Sequence, residues 1–379
     1  MGISKAISDS KISVIVPLYN GELYIEQTLE YILSSNYNNL EVIVINDGSK
    51  DEGYDIARRL AKKDYRIKIY SKENGGIISA RNYGIERATG EYLCFCDQDD
   101  FVDKNMYIKM IQKIEADKSD FCMCSTGRMI EGQVVPFENF DNQKYQGDEI
   151  NQKLLYPLLM GEYNLYNSEK ERRYPHIWKC LIKKDFFIRH NLRFKRFIDF
   201  EDDLLMLIEL LLNAETVSTV SDRLYVWRVN FQSETYNSKY FEDFISRYNS
   251  FLNYVTGLLE RDLVSDNFTQ AYKKVVMCRM YIDLIDNLYN GRKKGKHISI
   301  KQYLDNNIYI YGFQDNIKIY PYLKKGHIKP KIVLKLLSFK TYYLVYFVNV
   351  ILEKVKLFTL RYHWISKIER KMKMVKNKD

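Results

Sequence analysis

Asp97-Gln98-Asp99-Asp100 places three carboxylates within four residues, directly after the apolar run Tyr92–Cys96. Like charges this close repel one another and strain the turn that holds them unless a cation sits among them. A divalent ion held by one or two such carboxylates usually bridges to phosphates, where it neutralises the charge building on a departing diphosphate. All-oxygen ligation of this kind suits Mg2+ or Mn2+. A solvated acidic loop is the plainer alternative, but it gives no reason for the placement at the end of an apolar strand.

Three further segments carry candidate chemistry. Pro17-Leu18-Tyr19-Asn20-Gly21-Glu22 follows the run Ile12–Val16: Pro17 ends the ladder, and Tyr19 offers a flat ring for stacking on a base. In Asn46-Asp47-Gly48-Ser49-Lys50-Asp51, Asp47 is an acceptor suited to the imide proton of uracil, and Ser49 or Asp51 can cap the next helix. Both segments also read as ordinary turn and cap chemistry. In Glu73-Asn74-Gly75-Gly76, the glycine pair permits a tight turn and close approach of a ligand, and Arg81 follows one helical turn later, within reach of a nucleotide or its phosphates. Neither G-x-x-x-x-G-K-[ST] nor G-x-G-x-x-G occurs, which argues against P-loop and nicotinamide chemistry.

These segments need a scaffold that brings strand ends together. Short β-branched runs at Ile12–Val16, Leu40–Ile45, Arg66–Tyr70, Tyr92–Cys96 and Asp120–Cys124 alternate with helix-spaced segments at Glu22–Leu33, Glu52–Lys62, Ile77–Ala88 and Lys104–Ala116. That alternation predicts an α/β fold, a mainly parallel sheet covered by helices on both faces, with ligands bound at the carboxyl ends of the strands. Beyond Arg128 the pattern loosens. It predicts a helix over Asp148–Met160, a polar loop over Glu162–Tyr174, an element at Trp178–Ile182, helices from Lys184 and over Asp203–Asn213, and two short strands at Thr216–Val220 and Leu224–Val229. From Lys239 the chain reads as almost wholly helical, with turns at Asn290–Gly295 and Gly326–Pro330. The predicted division is a catalytic domain over 1–238 and a helical region over 239–379.

Taken together, Val14-Ile15-Val16-Pro17-Leu18-Tyr19-Asn20, Asn46-Asp47-Gly48-Ser49, Asn74-Gly75-Gly76 with Ala80-Arg81-Asn82, and Asp97-Gln98-Asp99 resemble the family 2 glycosyltransferases of GT-A fold, of the bacterial surface-polysaccharide and teichoic-acid type. The resemblance spans about residues 11–235 and rests on the order and spacing of motifs that are individually weak. It implies that Pro17, Tyr19, Glu22, Asp47 and Arg81, with Asn74, bind the nucleoside of a UDP-sugar donor. Asp97 then sits by the ribose and the metal, and Asp99 is the direct ligand of Mn2+ or Mg2+. It further implies an inverting displacement with a general base. Phe200-Glu201-Asp202-Asp203 resembles the family's Glu-Asp motif: Asp202 is read as the base and Glu201 as its support, and Asp203 leaves the register open by one residue. A carboxylate at a helix start is favoured by the dipole, although the acids could also simply cap the helix. Trp178-Lys179 with Leu181 resembles the acceptor-side stretch. Trp227-Arg228 followed by Ser233 resembles the segment closing over the diphosphate, where Arg228 could grip phosphate in a bidentate pair.

The bulk properties set the surroundings. With 46% hydrophobic and 28% charged residues the chain is a folded one rather than a disordered one. The net charge of +9 is concentrated: Tyr322–Asp379 holds 15 Lys and Arg against 3 Asp and Glu, so the remainder is acidic overall. Lys331–Leu352 and Lys354–Lys378 mix bases with apolar and aromatic residues, as helices lying in the headgroup plane of anionic membranes do. A helical subdomain or homo-oligomer interface is the competing reading. Nucleic-acid binding is not expected, since no reading motif accompanies the charge. The first eleven residues have no apolar core, and no stretch reaches the ~18–20 apolar residues of a spanning helix, so a cytoplasmic enzyme peripheral on the inner membrane face is expected. Cys94, Cys96, Cys122, Cys124, Cys180 and Cys278 lack zinc-knuckle spacing and read mostly as small buried apolar side chains. The expected reaction is transfer of a hexose to a hydroxyl of a lipid-linked saccharide. A nucleotidyltransferase and a non-catalytic membrane scaffold of the same fold are the alternatives. The sugar is left open, resting on the loops Arg128–Tyr145 and Glu162–Tyr174.

Overall fold

The computed structural model describes residues 9–130, 132–161, 173–198, 202–230, 239–308, 342–348 and 350–351. The chain folds as two compact units, the first ending at Thr235 and the second beginning at Tyr236.

The first unit is built on one sheet. Strands β1 (Ile12–Leu18), β2 (Leu40–Asn46), β3 (Ile67–Ser71) and β4 (Tyr92–Phe95) alternate with helices α1 (Ile25–Leu33), α2 (Gly53–Ala61) and α3 (Gly76–Arg87). The order β3-β2-β1-β4 is parallel throughout, with Val14 opposite both Val42 and Cys94. β1 runs to β2 on one side and lies against β4 on the other, so the strand order reverses beside β1. A doubly wound sheet opens its ligand crevice at such a point. Every residue of β2 is buried, which explains why it reads as a continuous apolar run rather than an alternating one.

Beyond β4 the sheet becomes mixed. The chain continues through β5 (Phe101–Val102), α4 (Met106–Asp117), β6 (Phe121–Ile130), β7 (Gln133–Glu138) and β8 (Gln143–Gln146). Then follow α5 (Asp148–Ile150), a π turn at Asn151–Leu155, α6 (Tyr156–Gly161), β9 (Cys180–Lys183), α7 (Lys184–Arg189), α8 (Asp202–Asn213) and β10 (Thr216–Arg228). β9 enters antiparallel between β4 and β6, while β10 pairs parallel with β6 and antiparallel with β5 and β8. The two short strands expected after Asn213 are one long strand whose register shifts between Val220 and Tyr225, so a bulge rather than a break separates the two apolar runs. The stretch Arg128–Tyr145 is largely paired strand, not loop, because β7 folds back on β6. The predicted loop Glu162–Tyr174 lies almost wholly outside the described residues.

At the amino ends of the strands the buried Glu41 ties β1, β2 and the turn before β4 together. It accepts bonds from Ser13 Oγ (2.6 Å), Thr89 N (2.6 Å) and Lys68 Nζ (2.8 Å). Burial pushes its pKa up, but Lys68 and these hydrogen bonds outweigh it and hold the carboxyl at about 2. Five of the cysteines are buried free thiols in this unit, as their apolar setting implied.

The second unit contains helices α9 (Phe244–Arg261), α10 (Asp266–Lys293) and α11 (Ile300–Ile308), with residues 342–348 also helical. The turn expected over Asn290–Gly295 falls at its end: α10 continues to Lys293 and stops where Gly295 takes a positive φ of 82°. No described helix is long and apolar enough to cross a membrane. The basic segments Lys331–Leu352 and Lys354–Lys378 fall outside the described residues except for 342–348 and 350–351, as does the turn Gly326–Pro330.

Candidate active site

The loops after β1, β2 and β4 are laced together at the carboxyl edge of the parallel block. Gln98 binds the backbone of Tyr19 twice, accepting from Tyr19 N (2.8 Å) and donating to its carbonyl (3.0 Å). Gly21 leaves room for this contact, because a Cβ would lie 2.4 Å from Gln98 Oε1 and push the amide aside. Asn20 N donates to Ser49 Oγ and Glu22 N to Asp51 Oδ2, while Glu52 N donates back to the Glu22 carboxylate. Glu22 is thereby engaged at the start of α2, and Pro17 is the penultimate residue of β1, opposite Ile45. The ring of Tyr19 is left 46% exposed, open to a stacking partner.

Asp47 is buried and aims at the start of α3. Its carboxylate accepts from Gly75 N (3.0 Å), Gly76 N (2.7 Å) and Lys72 Nζ (2.7 Å), and Asn74 Nδ2 donates to its carbonyl. The glycine pair therefore serves the protein's own carboxylate at the helix N-terminus, a placement the dipole favours.

Arg81 is the hub. Its guanidinium is 2% exposed and reaches Asp97 Oδ1 (3.1 Å), Asp202 Oδ2 (3.0 Å) and Asp203 Oδ1 (2.5 Å), with the Phe194 ring 5.1 Å from its carbon. The sequence pattern aimed this cation at a nucleotide or its phosphates. In the structure it is turned inward, binding the acidic turn after β4 to the start of α8. Arg196 holds the other oxygen of Asp202 at 2.8 Å. Asp203 also accepts from Ile177 N (3.1 Å). Burial, aided by Asp202 and Asp97 and opposed by Arg81, raises the Asp203 pKa from 3.8 to about 7. Glu201 lies outside the described residues.

The three acids after β4 have different fates. Asp100 is fully buried and structural: it accepts from Tyr225 OH (2.7 Å) and Arg228 N (2.8 Å), and burial pushes its pKa well above the usual carboxylate range. Asp99 accepts from Asn230 Nδ2 (2.8 Å); burial first, and Asp97 next among the raising influences, lift its pKa. Asp97 keeps 30% of its side chain exposed and donates its backbone N–H to Tyr225 OH (3.1 Å). Two neighbouring carboxylates, one of them destabilised as an anion by burial and by the other, fit a hard divalent cation completed by phosphate and water oxygens. Among the described residues no group of three or more His, Cys, Asp or Glu is arranged to hold a metal. Arg228 lies beside this turn: its Nε donates to the Asp99 carbonyl (2.7 Å), its Nη2 to Gln27 Oε1 (2.5 Å), and it sits 4.1 Å over the Phe101 ring.

The residues expected on the acceptor side, Trp178 and Lys179, are both buried. Trp178 is buried, stacked between Tyr225 (4.2 Å) and His176 (4.7 Å), and Lys179 is 1% exposed with its ammonium on Glu138 Oε2 (2.6 Å) and the Tyr174 carbonyl (2.6 Å). Neither side chain faces solvent: the turn Ile177–Lys179 ahead of β9 packs Trp178 into the aromatic stack and seats Lys179 on Glu138. They brace the site from behind. Sequence reasoning also missed Gln98, Arg196, His176 and Tyr225. His176 is kept neutral, its pKa lowered to about 3 by burial and by Lys179 and Arg81. Only the aromatic at every second position from Tyr174 to Trp178 hinted at the stack.

Residues 13–173 match the family model described as Glycosyl transferase family 2. The chain is 31% identical over 226 residues to an uncharacterized glycosyltransferase, EpsJ, of Bacillus subtilis, covering 59% of this chain and 62% of that relative, less than two thirds of its length. It is 27% identical over 356 residues to the cholesterol galactosyltransferase of Borreliella burgdorferi, covering 87% of this chain and 93% of that relative. Among solved structures it resembles S. aureus TarS residues 1–349 in complex with UDP-GlcNAc, with a TM-score of 0.58, 20% identity and 89% of each chain covered.

Proposed function

Since residues 13–173 of this chain belong to glycosyl transferase family 2, and its fold is the GT-A α/β fold with a helical extension, we propose that it transfers a sugar from a UDP-sugar to an acceptor hydroxyl, with inversion. The observation that carries the reading is the buried Arg81 bridge, which fixes Asp97 of the acidic turn and Asp202 at the head of α8 around one guanidinium. A leaving-group site and a base site thus share one rigid anchor, as a displacement at a single carbon requires.

The residues take these roles. Tyr19 stacks on the base, and Asp47 with its glycine turn borders the nucleoside. Mn2+ or Mg2+ bound by Asp97 and Asp99 would supply charge neutralisation on the diphosphate. Arg228, beside the same turn, adds a positive group at the phosphates. Asp202 accepts the proton of the acceptor hydroxyl as its oxygen bonds to the anomeric carbon, and the carbon–oxygen bond to UDP breaks with its electron pair leaving on the phosphate. The likeness over nearly the whole length of a cholesterol galactosyltransferase supports a lipid acceptor, and hence work at a membrane surface. A lipid-linked saccharide of capsule, exopolysaccharide or teichoic-acid synthesis is the acceptor class we favour.

The test is release of UDP from UDP-GlcNAc, UDP-glucose and UDP-galactose with Mn2+, with and without lipid-linked acceptors, for the wild type and Asp202→Asn. Turnover of one donor that needs the metal and collapses in Asp202→Asn is expected. Nucleotide-sugar binding with no turnover on any acceptor would leave a scaffold, and pyrophosphate release from UTP and a sugar 1-phosphate, assayed alongside, would indicate a nucleotidyltransferase.

A further inference from the structure

The helical residues 342–348 and 350–351 are apolar on two faces. Tyr342 and Val345 are buried within the second unit, whereas Tyr343, Leu344, Phe347 and Ile351 are 57%, 51%, 58% and 57% exposed. Positions 343, 347 and 351 repeat every four residues and 344 lies three before 347, so the four side chains form one outward stripe. Large apolar residues exposed as a contiguous stripe mark a contact surface rather than scattered surface residues.

The same helix also closes a basic cavity. Tyr346, between the two faces, lines a cavity of about 420 Å3 together with Tyr289, Arg292, Lys293, Lys296 and His297 at the end of α10. The Arg292 guanidinium lies 5.5 Å from the centroid of the Tyr346 ring, which ties the cavity to the helix bearing the stripe. Glu242 pairs with Lys296, leaving Arg292 and Lys293 as cations without a carboxylate partner among the ion pairs of the described residues. A cavity of this volume lined by cations and tyrosine rings suits a phosphate-bearing headgroup, and an apolar stripe beside it suits acyl chains. Charge and polarity together select one occupant.

We propose that the second unit docks on an anionic lipid bilayer through Tyr343, Leu344, Phe347 and Ile351, with a lipid phosphate seated in the Arg292–Lys293–Lys296 cavity. The proposal gives the membrane part of the proposed function a location, and it stands independently of glycosyl transfer.

The experiment is flotation of the full chain with phosphatidylglycerol vesicles and, separately, with phosphatidylcholine vesicles, without substrate. Phe347→Ser with Ile351→Ser should lower partitioning at least about tenfold on both vesicle types. Arg292→Gln, Lys293→Gln and Lys296→Gln together should lower it roughly a hundredfold on the anionic vesicles alone, erasing the preference. Unchanged thermal melting and UDP release in detergent verify that each variant is folded, and the exposed single variant Phe347→Ser serves if a combined one is not. Wild-type partitioning by either folded variant set overturns the proposal, as does a wild type that binds glycerol phosphate in solution yet ignores both vesicle types. Failure of the transferase reading would show separately, as absent turnover with vesicle binding intact.

Discussion

Replacing Asp203 by Asn should make the protein more resistant to unfolding at pH 7–8 while leaving its stability little changed near pH 4. The folded-state pKa of Asp203 is raised to about 7 from 3.8, so folding disfavours its anion. The sign is therefore opposite to that of an ordinary ion-paired carboxylate. The group's contribution is full below pH 3.8, falls as the pH rises, and levels off above about 7. At about 1.4 kcal/mol per unit, the wild type should lose ~3 kcal/mol between pH 5 and pH 7 through this residue, and the variant should not. Other titrating groups, Asp99 and Asp100 among them, act in both proteins and cancel in the difference. The assay is urea unfolding of the two proteins at pH 5, 6, 7 and 8, comparing how the gap between them changes. The physical source of the gap is one buried guanidinium shared by three carboxylates, of which, among the described residues, only Asp202 has a second cation. A variant equally destabilised at every pH would refute the reasoning, because Asp203 would then be a well-compensated anion.

Asp202→Asn should lower kcat by about 10²–10⁴ with a small change in KM, whereas Asp203→Asn should stay within about tenfold of wild type; steady-state UDP release separates the two registers. Gly21→Ala should push Gln98 off the Tyr19 backbone, where the added Cβ would meet Oε1 at 2.4 Å, and raise KM for the donor several-fold with melting nearly unchanged. Lys179→Met alone should destabilise by about 3–5 kcal/mol, since it strands the buried Glu138 carboxylate; adding Glu138→Leu should recover much of that in a denaturation cycle. Glu41→Gln should cost ~3 kcal/mol at pH 7 and converge with wild type as the pH falls from 4.5 toward 2, because the folded pKa is lowered to about 2 and the stabilisation exists only where the carboxylate is ionised.

The parallel block was legible because its strands are buried on both faces. Leu40–Ile45 has no polar alternation to dilute its signal, and β2 is that run plus Asn46. The mixed half was not legible in the same way. β9 is four residues long and is held between β4 and β6 by partners some 60 to 90 positions away in sequence, which no local pattern announces. The bulge in β10 likewise read as two strands, since Ser221-Asp222-Arg223 interrupts the apolar pattern without ending the pairing.

The acidic turn shows where composition stops and geometry starts. Asp97, Asp99 and Asp100 are indistinguishable as letters, yet Tyr225 and the Arg228 backbone draw Asp100 into the core from a strand more than 120 residues later. Arg81 is a similar case. Its position one turn into α3 suggested a hand stretched toward phosphate, and only the tertiary approach of α8 supplies the two further carboxylates that turn it inward. A cation enclosed by three acids is no longer available as a simple phosphate clamp, so the positive charge facing a diphosphate must come from elsewhere. In the proposed reaction Arg228 beside Asp99, with a divalent ion held by Asp97 and Asp99, would take that task. The buried bridge then has a different use: it ties the acidic turn after β4 to the start of α8, and in the proposed reaction it would keep leaving-group and base sites at a fixed separation, which a loop-borne arginine reaching into solvent could not do.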